Sequence, residues 1–175
     1  MQSAKAHRMG TNNDGASMRL TTKSRYGTRL ILDLAANAKT GPVPLSDVSK
    51  RQNISLKYLE QLTIKLKKAG LVKSQRGPFG GHMLAKAPNK ITVGDIVRTL
   101  EESTAITDCA ERDVQLCGVC NLAGDCLSRW VWIEASKAMF DRLDKITIGS
   151  LITKRKDLIL EARNYSNHQS PQRKS

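Results

Sequence analysis

Residues 45–84 read LSDVSKRQNISLKYLEQLTIKLKKAGLVKSQRGPFGGHML, and this stretch decides the fold. Its first eight residues predict a short helix with apolar side chains on one face. Ser55 is a favourable N-cap for a second helix, and Gly70 stands where a glycine commonly ends a helix. Two helices joined by a tight turn are typical of a helix-turn-helix unit.

The second helix of this stretch has two chemically different faces. Leucines recur at three- and four-residue spacing and are expected to face the core. Another face carries lysine and glutamine, which can contact guanine and adenine in the major groove of DNA. This pattern predicts a helix that reads DNA bases; the alternative is an amphipathic hairpin whose charges meet only water. The expected DNA contacts on this helix are Ser55, Lys57, Tyr58, Gln61 and Lys65.

A β-hairpin is predicted directly after this helix. Residues 71–75 and 82–86 have the composition of short strands, and the glycines and proline between them indicate a tight turn. A hairpin that follows a helix-turn-helix is typical of a wing. An arginine at its tip suits a phosphate or a narrow minor groove, and glycines let the backbone approach DNA closely. Arg76, Gly77 and Pro78 are therefore the expected DNA contacts of the wing.

Two further helices are predicted on either side of this unit. Residues 21–38 show helical periodicity with an aliphatic face, and residues 92–102 form a helix capped by Thr92. Arg19 and Arg25 lie near the start of the first of these helices, where the helix dipole disfavours a cation. Contacts with DNA phosphates explain this placement more easily than helix stability does, and an ordinary solvated face is the alternative.

The charge of the chain is unevenly distributed. It has 175 residues, of which 39% are hydrophobic and only 4% aromatic, so its core must be aliphatic. Residues 18–100 hold sixteen Lys or Arg against four Asp or Glu, whereas residues 101–150 hold five against nine. Within a net charge of +13, this asymmetry predicts binding of the first part to a polyanion. The alternative is that the positive charge serves only solubility.

Neither a membrane span nor a secretory signal is predicted. No run of about 18 apolar residues occurs, and residues 1–17 lack the apolar segment of a signal peptide. We therefore expect a cytoplasmic protein in a reducing compartment, where structural disulfides are disfavoured. The chain has no Ser/His/Asp set, no paired carboxylates and no phosphate-binding loop, so no enzyme activity is expected.

All four cysteines lie within residues 109–126, CAERDVQLCGVCNLAGDC. Cys109, Cys117, Cys120 and Cys126 are separated by seven, two and five residues. Cysteines this close together commonly form disulfides, bind zinc or hold an iron–sulfur cluster. Spacing alone favours zinc and iron–sulfur equally, and the Cys-X-X-Cys pair also allows a redox-active dithiol.

A long helix is predicted after the cysteines. Residues 127–143 carry apolar side chains along one face, and they lie outside the DNA-binding unit. Such a helix commonly forms a dimer contact, and the alternative is that it folds back on its own subunit. Its predicted apolar face consists of Leu127, Trp130, Val131, Ala135, Ala138, Met139 and Leu143.

These elements predict a mainly α fold with a small β-hairpin wing. The expected organisation is a disordered extension (1–17), a winged helix-turn-helix DNA-binding domain (18–102), a cysteine cluster loop (103–126), a dimerisation helix with a closing segment (127–153) and a disordered tail (154–175).

Several segments together carry a family resemblance. They are MRLTTKSRYGTRLILDLA at 18–35, GPVPLSDVSKRQNISLKYLEQL at 41–62, KLKKAGLVKSQRGPFGGHML at 65–84, ITVGDIVRTLEES at 91–103 and CLSRWVW at 126–132. The chain resembles the Rrf-type winged-helix transcriptional regulators, and among them the IscR-like iron–sulfur cluster regulators. The resemblance covers about residues 18–151, and RGPFGG and ISLKYLEQL are its most specific motifs.

The resemblance implies a homodimeric transcription factor. We expect it to be a repressor, and a dimer is expected to bind a pseudo-palindromic operator in double-stranded DNA. The resemblance further implies that the cysteine loop holds an iron–sulfur cluster whose state controls which DNA is bound. The favoured form is 2Fe–2S, with 4Fe–4S as the other form. A zinc-containing protein that binds DNA constitutively and a small iron–sulfur electron carrier are the alternatives.

The resemblance also implies a set of cluster ligands. The three cysteine ligands of the family match Cys109, Cys120 and Cys126 in this chain. The fourth ligand differs, because Arg129 stands where IscR-like members have a histidine. Another branch of the family uses an acidic residue in the first helix, where this chain has an arginine. Cys117 is therefore the natural candidate for the fourth ligand.

Overall fold

The computed structural model describes residues 21–38, 41–101, 103–107, 110, 125–155, 157–159 and 161. In chain order the elements are α1 (Thr22–Ala36), α2 (Leu45–Gln52), α3 (Leu56–Lys68), β1 (Val72–Gln75), β2 (Gly81–Leu84), α4 (Val93–Leu100), α5 (Leu127–Asp144) and α6 (Ile148–Thr153), with a 3₁₀ turn at Pro88–Lys90 before α4. The predicted mainly helical fold with a small hairpin is confirmed.

Local sequence signals set the ends of the helices. The Ser55 side chain accepts a hydrogen bond from the Tyr58 amide at 3.3 Å and so caps α3. Thr92 and Asp95 form a reciprocal capping box at the start of α4, with both bonds at 3.0 Å. After α3 the chain turns at Gly70, whose φ of +67° is easily adopted only by a residue without a side chain.

The core is aliphatic, and α1 lies at its centre. This helix contacts α2, α3, α4, α6 and β2. Gly27 permits a close approach of α1 to α4, because a Cβ at this position would lie 2.0 Å from Cδ1 of Leu100. The fully buried side chains are Leu30, Ile31, Leu34, Val48, Leu59, Leu66, Ile91, Ile96, Val97, Leu100 and Ile148.

The hairpin is antiparallel and is attached to the segment before α2. Val72 pairs with Leu84 at its base, and Gln75 pairs with Gly81 near its tip. Its second strand begins and ends earlier than the predicted range of 82–86. Val43 extends the sheet, because its amide donates to the His82 carbonyl at 2.9 Å and its carbonyl accepts from the His82 amide at 2.8 Å.

The last part of α5 lies against its own subunit, whereas its first part presents apolar side chains to solvent. Arg98 of α4 donates two hydrogen bonds to the Asp144 carboxylate, at 2.8 and 2.5 Å. Its guanidinium also lies 4.7 Å from the centre of the Phe140 ring. Towards the other end of α5, the exposed fractions of Leu127, Trp130 and Val131 are 88, 63 and 58%.

The predicted terminal segments are only partly within the described residues. Residues 1–17 lie outside them, so the predicted disordered extension stays a prediction. Residues 155, 157–159 and 161 have helical backbone, so helical conformation continues beyond α6. In the part of the chain that the structure describes, no helix combines the length and apolar character needed to cross a bilayer.

Candidate nucleic-acid interface

The outer face of α3 presents the side chains that the sequence assigned to base reading. Lys57, Gln61 and Lys65 are all exposed. They are held by the opposite face of the same helix, where Leu59 and Leu66 are fully buried. Because one face is fixed in the core, the long polar side chains project from a rigid support.

The first turn of α3 is tied to α1 by two tyrosines. The rings of Tyr26 and Tyr58 meet edge to face, with centroids 5.8 Å apart. Tyr58 is half-buried, so its ring also positions one helix against the other. The capping contact of Ser55 uses a lone pair of its oxygen, which leaves its proton free to be donated to a phosphate.

The basic residues at the start of α1 lie on the same side as this tyrosine pair. Arg25 is exposed, and its guanidinium lies 5.9 Å from the centre of the Tyr26 ring. The Arg29 guanidinium lies 5.5 Å from the same centre, and it also donates hydrogen bonds to the side-chain oxygen and the backbone carbonyl of Gln52. Arg29 therefore joins α1 to α2, and Arg25 is the better candidate for a phosphate contact. Arg19 lies outside the described residues.

The wing supplies a second exposed surface. Arg76, Gly77 and Pro78 are all exposed at its tip, and Gly77 has a φ of +117° with open space where a Cβ would lie. No acidic residue occurs between Glu60 and Asp95 in the sequence. The half of α3 that leads to the wing and the wing itself thus form a surface whose formal charges are all positive. A surface of this kind suits a polyanion.

The sequence reasoning missed a buried ionic network behind the interface. Asp33 is buried in α1, and Arg51 of α2 reaches its two carboxylate oxygens at 2.6 and 3.1 Å. Gln52 donates to the same carboxylate at 2.8 Å. Burial raises the pKa of Asp33, but the hydrogen bonds and the charge of Arg51 outweigh it, so the pKa lies below its usual value. The sequence contains one indication of this network, which is the acidic Asp33 among the aliphatic positions of the first helix.

A second missed feature joins the end of α4 to the start of α1. The Glu101 carboxylate accepts hydrogen bonds from the Thr21 hydroxyl at 2.8 Å, the Thr21 amide at 3.1 Å and the Ser24 hydroxyl at 2.5 Å. A carboxylate at a helix N-terminus is favoured by the unsatisfied amides and the helix dipole. We call this set of contacts the Glu101 clasp. It fixes the chain two residues before the start of the predicted cysteine loop at residue 103.

Most of the predicted metal site lies outside the described residues. This applies to Cys109, Cys117 and Cys120. Cys126 is described: its thiol is free and half-buried, and it lies immediately before α5. Among the residues that the structure describes, no group of three or more His, Cys, Asp or Glu is arranged to hold a metal ion.

Known proteins similar to this chain are transcriptional regulators. A family model described as Rrf2, an iron-dependent transcriptional regulator, matches residues 20–154. The HTH-type transcriptional regulator IscR of Klebsiella pneumoniae is 41% identical over 150 residues, which cover 86% of this chain and 89% of the relative.

Two solved structures of the same kind superpose on most of the chain. T. potens IscR has a TM-score of 0.64 and 36% identity over 80% of this chain and 90% of its own. CymR, the global cysteine regulator of B. subtilis, has a TM-score of 0.61 and 36% identity over 77% and 96% of the two chains. The resemblance and the winged helix-turn-helix fold inferred from the sequence are confirmed, and so is the expectation that this is no enzyme. The chain belongs to the Rrf2 family of DNA-binding transcriptional regulators.

Proposed function

We propose that this chain is a dimeric repressor whose binding to operator DNA depends on an iron–sulfur cluster held by Cys109, Cys117, Cys120 and Cys126. The observation that carries the proposal is the gathering of all four cysteines in eighteen residues of an Rrf2-family chain. The family model is described as iron-dependent, which favours iron over zinc. We keep 2Fe–2S as the favoured cluster and 4Fe–4S as the other form.

The donor set fits such a group. Thiolates are the usual ligands of iron–sulfur clusters, and Cys126 offers a free thiol in a half-buried position. Its side chain makes no capping hydrogen bond to α5, so the sulfur is not committed elsewhere at that helix end. When bound, the cluster would supply a group that oxidants or iron shortage can remove, which is the chemistry of a sensor.

The residues that flank the cysteine loop connect it to the DNA-facing elements. On one side the Glu101 clasp binds the start of α1, next to the exposed Arg25. On the other side Cys126 leads directly into α5. We infer that gain or loss of the cluster acts on both ends of this segment at once. It shifts the basic start of α1 and the direction in which α5 leaves the subunit.

The proposed dimer contact is the exposed apolar side of α5. Leu127, Trp130 and Val131 are the most exposed large apolar residues of that helix. Exposed aromatic and aliphatic side chains on one helix are typical of a surface that another subunit covers. A two-fold dimer would place two copies of α3 on one face of DNA, and this is the arrangement that reads a pseudo-palindrome.

Within this proposal the DNA contacts remain those expected from the sequence. Gln61, Lys57 and Lys65 on α3 would meet base edges, with Ser55 and Tyr58 at the start of the same helix. Arg25 and Arg19 would bind phosphates beside α1. Arg76, Gly77 and Pro78 of the wing would lie along the neighbouring minor groove.

The test is the metal content of the full chain purified without oxygen. We expect a brown protein that contains iron and acid-labile sulfide in equal amounts, with little zinc. Cys117→Ala should lose the absorption of the cluster or shorten its lifetime, and Ser128→Ala is a control close to the site that leaves all thiols in place. A colourless protein with one zinc per chain would contradict the cluster and support the zinc alternative.

A further inference from the structure

One large apolar side chain stands at the tip of the wing with almost no contact to its own chain. The exposed fraction of Phe79 is 90%, the highest among the large hydrophobic side chains of the described residues. It occupies the RGPFGG turn, directly between Pro78 and Gly80. It contributes almost nothing to the core, so packing of the monomer does not explain it.

The turn that carries Phe79 is well defined. The Gly80 amide donates to the Gly77 carbonyl at 2.9 Å, which closes a four-residue turn with Pro78 and Phe79 in the middle. The φ of Phe79 is not positive, which excludes a type II turn. Proline at the second position and glycine at the fourth are typical of the type I turn. Gly80 is tightly enclosed, because a Cβ there would lie 2.5 Å from the Gln75 carbonyl oxygen.

The wing is supported almost to this turn. Val43, which precedes α2, exchanges two backbone hydrogen bonds with His82. Gly81 packs directly on Val43, since a Cβ at Gly81 would lie 2.6 Å from the Val43 carbonyl carbon. Only residues 76–80 extend beyond these contacts. Phe79 is therefore held at a fixed position relative to the helix-turn-helix rather than on a long mobile arm.

The surroundings of Phe79 indicate what kind of partner it meets. Arg76 is exposed in the same turn, and the sequence has no acidic residue between Glu60 and Asp95. A second copy of this basic wing would be repelled by its positive charge. A polyanion with an apolar interior would match both the charge of the wing and the ring of Phe79. The minor groove of DNA has this character, with phosphates at its edges and sugars and stacked bases within. At about 6 Å wide it admits a ring or a guanidinium but not a helix.

We propose that Phe79 is an apolar wedge that the wing sets into the minor groove of the operator, where its ring contacts the sugars and partly unstacks one base step. The inference rests on the proposed contact of the wing with the minor groove and adds the residue that selects sequence there. Phenylalanine is one of the side chains that proteins insert between base steps from this groove. Pyrimidine–purine steps such as TA and CA open most easily, so the wedge favours such a step outside the bases that α3 reads.

The experiment selects binding sites from a pool of random duplexes with the full-length protein. We expect wild type to recover a pseudo-palindrome that carries a pyrimidine–purine step at one fixed position in each flank. Phe79→Ala should recover the same centre without this step and bind the wild-type site about tenfold more weakly. Phe79→Leu should keep part of the preference. 2-Aminopurine placed at the step should brighten when wild type binds and stay dark with Phe79→Ala.

Arg76→Ala is the matched control in the same turn. It should retain the flanking step but lower the salt dependence of binding by about one counterion, since it removes a charge and not the wedge. The wedge would be overturned if wild type and Phe79→Ala selected the same flanking sequences and bound the site with affinities within twofold of each other. A change of oligomeric mass in Phe79→Ala would also overturn it and assign the ring to a protein contact. If wild type selects no sequence at all, the proposed base reading by α3 fails as well. If it selects the centre without the flanking step, only the wedge fails.

Discussion

At the scale of single residues, the acidic side chain of Asp33 is the point where stability depends on pH. Its pKa is lowered in the folded protein, because the hydrogen bonds and charge of Arg51 and the amide of Gln52 outweigh the effect of burial. A carboxyl with a lowered pKa stabilises the fold above its unfolded pKa and loses this contribution as the pH falls through its folded pKa. We therefore expect the free energy of unfolding to decrease on acidification through that range.

Replacement of the carboxylate tests this dependence. Asp33→Asn should lower the free energy of unfolding at pH 7 by about 1–3 kcal/mol, because Arg51 loses its charged partner. The variant should also show a flatter pH profile than wild type in urea titrations between neutral and acidic pH. Asp141→Asn is the control, since Asp141 is exposed on α5. Parallel pH profiles for wild type and Asp33→Asn would show that other carboxyls carry the acid sensitivity.

Base reading and phosphate binding can also be separated at single residues. Gln61→Ala should cost about 1–3 kcal/mol on a selected duplex and little on random DNA, because an amide recognises base edges. Arg25→Ala should weaken binding to both duplexes and reduce the salt slope by about 1. Salt titrations of the three proteins on both duplexes provide the measurement. Equal weakening on both duplexes by Gln61→Ala would mean that α3 does not read bases through this side chain.

At the scale of elements, the distance between α1 and α4 is set by Gly27 and Leu100. A methyl group on Gly27 would overlap the fully buried Leu100 side chain. Gly27→Ala should therefore destabilise the protein by about 1–3 kcal/mol through overpacking, despite the better helix propensity of alanine.

A shorter side chain at position 100 should relieve this strain. Leu100→Val alone should cost about 1 kcal/mol by leaving a small cavity. In the double variant the new methyl group fills that space, so the double should be more stable than the sum of the two single changes predicts. Chemical denaturation of the four proteins measures this coupling. Strict additivity would show that α1 and α4 relax apart rather than repack.

The elements were predictable from the sequence where short-range signals decide them. The prediction of α2 matches its observed bounds, and the caps at Ser55 and Thr92 are present as expected. Interactions between residues distant in sequence were not predictable. The Glu101 clasp joins residues that are separated by 80 and 77 positions in the sequence. Nothing in the composition of either segment indicates a contact with the other. The cluster ligands and the DNA contacts stay predictions.

At the scale of the whole molecule, one subunit leaves part of its apolar surface uncovered. The predicted apolar face of α5 divides in the structure: Met139 and Leu143 are half-buried in their own subunit, whereas Val131 and Trp130 are exposed. The alternative that this helix folds back on its own subunit therefore holds for its last turns, which lie against α4. For its first turns, the contact with a second subunit stays a proposal.

A charge in the exposed part of α5 tests the proposed dimer. Val131→Glu would bury a carboxylate without a partner in the subunit contact, so the dissociation constant should rise at least about tenfold. Ala36→Glu is the control, because it adds the same charge at an exposed position at the end of α1, outside α5. Light scattering at micromolar concentration should give a dimer for wild type and for Ala36→Glu. Val131→Glu should give a monomer that binds a single half-site but has lost tight binding to the pseudo-palindrome. If Val131→Glu remains a dimer with unchanged operator affinity, the subunits associate through another surface.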